Sequence, residues 1–283
     1  MSNHALASPG AGIAAAWRAV RAERRAALIA YLTAGHPTPE QSREGLRRAA
    51  AAGADLIEVG VPFSDPLADG PTIQRATQVA LEQGVTVARV LDLVRAARLP
   101  VPVVLMTYLN PVLAYGVPRF IADAADAGVA GILFTDLPAG VDEAVERAVR
   151  ASPLDLIRLV APTTSAERLA AAVGGERGGN GASGFVYLIS RLGVTGARED
   201  VPPDLAAQVA RVRAVTPLPV AVGFGIGTPA QARAAARCAD GVVVGSALVQ
   251  AAGSGGPAAV ERLVRDLAAA VRQPGGQETE RPA

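Results

Sequence analysis

Between residues 27 and 271 the chain alternates eight times between a short, almost wholly apolar run and an amphipathic stretch of helical length. The runs cover 27–32, 55–59, 103–107, 131–135, 156–160, 185–189, 220–223 and 241–245. A strand that is apolar on both faces belongs to a sheet covered on both sides, and helices interposed between such strands make the sheet parallel. Eight units over residues 13–271 supply the roughly 250 residues of a closed (β/α)8 barrel. An open doubly wound sheet would want a glycine-rich fingerprint after the first strand, and Thr33-Ala34-Gly35-His36-Pro37 does not provide one. The expected architecture is therefore one α/β domain, a (β/α)8 TIM barrel over 12–272, between disordered segments at 1–11 and 273–283.

Helix boundaries carry their own signals. Thr38-Pro39 and Thr228-Pro229 are helix starts, and Gly53 and Gly128 end helices just before the next strand. Ile13, Trp17 and Val20 have helical spacing ahead of the first strand, which predicts an extra helix closing the bottom of the barrel. A second helical run, 72–82, makes the connection after strand two an elaborated loop. The glycine-rich segment 174–184 precedes strand six, on the side of a barrel away from chemistry, and reads as a flexible insertion.

Loop two holds the densest chemistry. Residues 58–71, EVGVPFSDPLADGP, contain three carboxylates, three prolines and two glycines, far more than a plain strand-to-helix connection needs. Glu58 shares strand parity with Leu56 and is expected to face the interior, where burial raises a carboxyl pKa towards neutrality. Asp69, beside Gly70, is expected to stay ionised in the loop. Two carboxylates in contrasting environments suit divided acid and base roles. From spacing alone a second reading stays open, in which Glu58 ends a strand in a salt bridge and Asp65 and Asp69 are turn residues.

Composition narrows the reaction. The 27 basic residues are all arginine, so Schiff-base chemistry on a lysine is impossible. His4, His36 and Cys238 are the only imidazoles and thiol, which leaves metal-assisted cleavage poorly supported and no metal site expected. A net charge of +1 gives no footprint for nucleic acid or anionic membrane. One cysteine excludes an internal disulfide and suits a cytoplasmic protein.

Glycines cluster at the ends of adjacent strands. Gly223-Phe224-Gly225-Ile226-Gly227 follows strand seven, Gly245-Ser246 follows strand eight, and Ser190 to Gly196 follows strand six. Barrels place phosphate sites there, on backbone N–H groups and helix starts. Arg191 is either a phosphate or lid contact or a solvated arginine. Tyr31, Tyr108, Asn110, Phe134, Asp136, Tyr187 and Phe224 fall at other strand ends and suggest a pocket for a flat apolar group, whereas Leu105, Met106, Ile132 and Ile157 read as ordinary core.

Residues 58–74, EVGVPFSDPLADGPTIQ, closely resemble the loop after strand two of tryptophan synthase alpha subunits. The similarity extends over about 28–249, through YLTAGHP at Tyr31, LMTYLNPV at Leu105, ILFTDLP at Ile132, FVYLISRLGVTG at Phe185, VGFGIGTP at Val222 and GVVVGSALV at Gly241. The resemblance implies retro-aldol cleavage of indole-3-glycerol phosphate to indole and glyceraldehyde 3-phosphate, with no cofactor in this chain. It also implies an α2β2 hetero-tetramer in which indole passes to a beta subunit carrying pyridoxal phosphate. Carried over by position, Glu58 is the acid/base and Asp69 the second catalytic carboxylate. Tyr31, Tyr108 and Phe224 contact indole, and Tyr187 packs beside the glutamate. Gly196, Gly225, Gly245 and Ser246 hold phosphate, Arg191 and Thr195 belong to a lid, and Asp65 belongs to the surface that meets the beta subunit. Departures from the family pattern fall at His36, Leu192 and the long 174–184 segment. An autonomous lyase, or a docking subunit with weak catalysis of its own, are the competing functions.

Overall fold

The apolar runs pair in parallel in the order in which they occur. Eight strands, β1 (Ala27–Thr33), β2 (Leu56–Gly60), β3 (Val103–Thr107), β4 (Val129–Phe134), β5 (Asp155–Val160), β6 (Val186–Ile189), β7 (Val220–Gly223) and β8 (Gly241–Val244), form a closed barrel in which β8 pairs back onto β1. The computed structural model describes residues 12–174, 182–189, 202–223 and 225–272. The expected disordered termini and most of the 174–184 segment lie outside these.

Side chains alternate across the barrel wall. Ile29, Leu56, Val104, Leu133 and Ile157 fill the interior. Leu28, Ile57, Leu105, Ile132 and Phe134 face the surrounding helices. These helices are α2 (Pro39–Ala51), α3 (Pro71–Glu82), α4 (Val87–Ala97), α5 (Leu109–Tyr115), α6 (Val117–Asp126), α7 (Glu143–Arg150), α8 (Ala166–Val173), α9 (Leu205–Arg213), α10 (Pro229–Ala236) and α11 (Ser246–Arg272). The threonine-proline starts behave as expected. Thr38 accepts from the Gln41 N–H at the start of α2, and Thr228 forms a reciprocal capping box with Gln231 at the start of α10. Two features depart from the sequence reading. Residues 109–115, with Pro111 inside them, form the short helix α5. Helix also begins at Ser246, and α11 runs through a kink at Gly256, ahead of Pro257.

The extra helix α1 (Ile13–Ala22) closes the bottom. Its Ile13, Trp17 and Val20 join the interior cluster, and the Trp17 ring meets Phe185 at 5.7 Å between centroids. Arg25 just beyond it forks onto Asp55, at 2.8 and 2.7 Å, and Asp55 also accepts from the Leu28 N–H. One buried ion pair thereby ties the plug to the starts of β1 and β2. With the bottom filled by apolar side chains, space for a ligand remains at the opposite, C-terminal ends of the strands.

Candidate active site

A cavity of about 180 Å³ opens at those strand ends. β2 supplies its central group. Position 58 shares the inward parity of Leu56, so the Glu58 side chain enters the barrel and is 1% exposed. Its Oε1 has no hydrogen-bond partner, and Glu58 makes no ion pair among the described residues. The reading of Glu58 as the end of a strand in a salt bridge is therefore excluded. Burial, then the nearby Asp69 charge, raise its pKa from the usual 4.5 to about 8. Glu58 is thus a protonated acid at neutral pH.

Asp69 lies in the loop, but the loop folds back over the barrel and leaves it 6% exposed. Burial lifts its pKa to about 6, opposed by a hydrogen bond from Tyr108, so Asp69 is ionised at neutral pH although the loop position gave no sign of its burial. That bond runs from Tyr108 Oη to Asp69 Oδ2 at 3.2 Å, and the same hydroxyl accepts from the Ala68 N–H at 2.9 Å. Phe63 packs on the Tyr108 ring at 5.2 Å, and the Gln74 carboxamide donates to the Asp69 carbonyl. The loop is fastened from both sides. Between about pH 6 and pH 8 the site holds one carboxylate and one carboxylic acid.

Two phenols complete the interior layer. A Cβ at Gly60 would stand 2.1 Å from Tyr31 Oη, and one at Gly223 would stand 2.1 Å from Tyr187 Oη. Only glycine at these inward positions lets each ring cross its neighbouring strands. Burial is the main cause that pushes both phenols well above their usual pKa, with contributions from Glu58 and Asp69, so both remain protonated.

Gly225, Gly245 and Ser246 also line the cavity. Gly245 accepts from the Val249 N–H and so caps α11, whose first N–H groups have no partner within the helix. No lysine, arginine or histidine lines the cavity among the described residues. An anion there would be held by backbone N–H groups, the helix dipole and the Ser246 hydroxyl.

Several sequence expectations land elsewhere. Phe134 faces outward into the helix layer rather than the pocket. Asn110 is exposed on α5, and Asp136 accepts from the Leu109 N–H at 2.8 Å, which joins the loops after β3 and β4. Tyr108 acts on Asp69 and does not line the cavity. Met106, read as core, is partly buried and lines it, as do Thr72, Ile73, Val243 and Gln250, none of which the sequence reading named. Inward parity on β3 and β8 was the available signal for Met106 and Val243. Arg191, Thr195, Gly196 and Phe224 lie outside the described residues. Asp65 is exposed, beside Leu67 at 90% exposure.

One further charged pair shapes these loops. Arg158 faces outward from β5 and meets Glu146 of α7 at 2.6 Å, both buried. Glu146 also accepts from the Gly140 N–H, and Arg158 donates to the Leu137 carbonyl. The loop after β4 is thereby pinned from below.

The profile of the tryptophan synthase alpha chain family matches residues 17–274. The alpha chain of Acidiphilium cryptum is 50% identical over 273 residues, covering 92% of this chain and 97% of its own length. That of Gluconacetobacter diazotrophicus is 49% identical, covering 91% and 95%. Among solved structures, tryptophan synthase of Mycobacterium tuberculosis superposes with a TM-score of 0.84 at 44% identity, covering 92% and 98%. The tryptophan synthase alpha subunit of Legionella pneumophila superposes with a TM-score of 0.81 at 36% identity, covering 92% and 97%. The chain belongs to the tryptophan synthase alpha chain family, whose members are enzyme subunits that cleave indole-3-glycerol phosphate.

Proposed function

We propose that Glu58 and Asp69 carry the family's cleavage in this chain. The observation that supports this most is the pairing of two buried carboxyl groups, Glu58 and Asp69, in one cavity, where burial pushes the pKa of Glu58 above that of Asp69. Cleavage of the bond between indole C3 and the carbinol carbon needs a proton delivered to C3 and a proton removed from the carbinol hydroxyl. Glu58 gives its proton to C3, and the ring becomes an iminium whose N–H donates to Asp69. That hydrogen bond strengthens as charge develops, so it favours the transition state over the bound substrate. The Glu58 carboxylate then takes the hydroxyl proton. The carbonyl of glyceraldehyde 3-phosphate forms, the carbon-carbon bond breaks, and its electrons restore the indole ring. Glu58 ends the cycle as it began.

The supporting roles rest on the cavity lining where the residues are described and on the resemblance for Phe224, Gly196, Arg191 and Thr195. The rings of Tyr31 and Tyr187 flank the indole with Met106 and Val243, together with Phe224. Tyr108 orients Asp69 and stands at the edge of the indole site. Gly225, Gly245 and Ser246 hold the phosphate, with Gly196. Arg191 and Thr195 belong to the lid over it. These groups need no cofactor in this chain, and pyridoxal phosphate belongs to the beta subunit. The alpha family implies a beta-subunit partner. We place its docking face around Asp65 and the exposed Leu67, with the exposed Leu113 and Val141 as further apolar residues beyond the C-terminal ends of β3 and β4. The assembly is an α2β2 tetramer. Residues 12–272 form the catalytic domain, and residues 1–11 and 273–283 are flanking tails. No helix among the described residues is long and apolar enough to cross a membrane, and we place the complex in the cytoplasm.

The test is indole release from indole-3-glycerol phosphate by the purified chain, with and without a matching beta subunit. Slow release that rises strongly with the partner supports the complexed lyase. Fast release by the chain alone points to the autonomous enzyme, and none in either setting contradicts the proposal.

A further inference from the structure

Glu58 must exist as a carboxylate between its two proton transfers, inside a barrel where a bare charge is costly. In the structure its Oε1 has no partner, so the ionised state needs a donor that the resting state does not use. Two phenols stand in the same layer. Tyr31 lies directly beside Glu58 in the register of β1 against β2, with both side chains inward. Its ring reaches across β2 until Oη sits over Gly60. Position 60 is the next inward position after 58 on the same strand, so this hydroxyl stands one inward layer above Glu58 and makes no hydrogen bond to it in the structure. Its partner there is Thr33 Oγ1 at 3.4 Å, a long contact in which either oxygen can donate. The Tyr31 hydroxyl is therefore only weakly engaged by Thr33. Tyr187 reaches over Gly223 of β7, three strands round the barrel from β2, and also stands close enough to feel the Glu58 charge.

We propose that the Tyr31 hydroxyl turns from Thr33 to Glu58 and donates the hydrogen bond that sustains Glu58 as a carboxylate between the two proton transfers. The proposal rests on the reading of Glu58 as the acid/base. It gives Tyr31 a positioning role beyond the apolar contact its ring makes with indole. Among the described residues, the titratable groups around Glu58 are Asp69 from the loop after β2, Tyr31 from β1 and Tyr187 from β6, with Tyr108 behind Asp69. Removing a donor to the carboxylate makes Glu58 hold its proton more tightly. The alkaline limb of activity then moves upward.

Tyr31→Phe keeps the ring and deletes only the hydroxyl. The experiment is kcat and KM for indole-3-glycerol phosphate across the pH range in the complex with a matching beta subunit, for the parent, Tyr31→Phe, Tyr187→Phe and Glu58→Gln. Loss of one charge-assisted hydrogen bond predicts a kcat for Tyr31→Phe about ten- to hundredfold lower, a KM within about twofold of the parent, and an alkaline limb raised by about one pH unit. Tyr187→Phe, which keeps the hydroxyl over Gly60, should move that limb by less than Tyr31→Phe does. A Tyr31→Phe profile superimposable on the parent's, or a shift found in Tyr187→Phe instead, overturns the proposal while an inactive Glu58→Gln leaves the acid/base reading standing. A Glu58→Gln enzyme as fast as the parent removes the reading and the proposal together.

Discussion

Replacing Glu58 by glutamine should flatten the dependence of folding stability on pH. In the folded protein the carboxyl holds its proton up to about pH 8, whereas in an open chain it releases it near 4.5. Burial is the larger cause and the Asp69 charge the smaller. The native state therefore binds more protons than the unfolded chain between these two values. The protonated group's contribution is complete below about pH 4.5 and is lost as pH rises through about 8. At about 1.4 kcal/mol per pH unit, the loss across the window is at most about 5 kcal/mol. Relaxation around the buried charge softens the penalty, so about 2 to 5 kcal/mol is the expected range. Glutamine has nearly the same shape and stays neutral throughout. Urea unfolding of both proteins at about pH 5 and pH 9 would measure the effect, with the parent losing that much more stability than the variant. Equal pH dependence in the two proteins would show that folded Glu58 is already ionised at neutral pH, and its role as proton donor would lose its basis.

Other outcomes follow from the same geometry. Cleavage should require ionised Asp69 and protonated Glu58, giving a bell-shaped profile of kcat that rises through about pH 6 and falls through about pH 8; Asp69→Asn should abolish the acid-side limb. Trp17→Ala should cost about 3 to 5 kcal/mol of stability in urea unfolding while leaving the kcat of the folded enzyme unchanged, because Trp17 packs at the bottom, away from the cavity. Glu146→Gln should cost about 3 to 5 kcal/mol by breaking a buried pair, and replacing Glu146 and Arg158 together by methionine should recover most of it in thermal unfolding.

What was legible in the sequence is what short-range pattern dictates. Eight apolar runs and the spacing of Ile13, Trp17 and Val20 specify a plugged barrel, and period-two parity with Leu56 turns Glu58 inward. Residues joined across long separations were not legible. Tyr108 meets Asp69 across 39 positions, and nothing local marks loop two as folding back to bury that aspartate. Gly60 and Gly223 look like ordinary turn glycines until Tyr31 and Tyr187 are seen to pass over them. Arg158 inside the apolar run of β5 gave no hint of Glu146, which sits among the surface charges of α7. Helix α5 was hidden by Pro111, which read as loop but falls within the first turn, where a missing N–H is tolerated.

The most direct measurement is the single-turnover rate of indole formation at saturating indole-3-glycerol phosphate in the complex with a matching beta subunit, for the parent and Glu58→Gln. Loss of a group that both gives and takes the proton should slow the chemical step about 100- to 10,000-fold with substrate still bound. A Glu58→Gln rate within a few-fold of the parent would contradict the account, because among the described residues no other group lining the cavity is both buried and protonated at a pKa suited to the transfer.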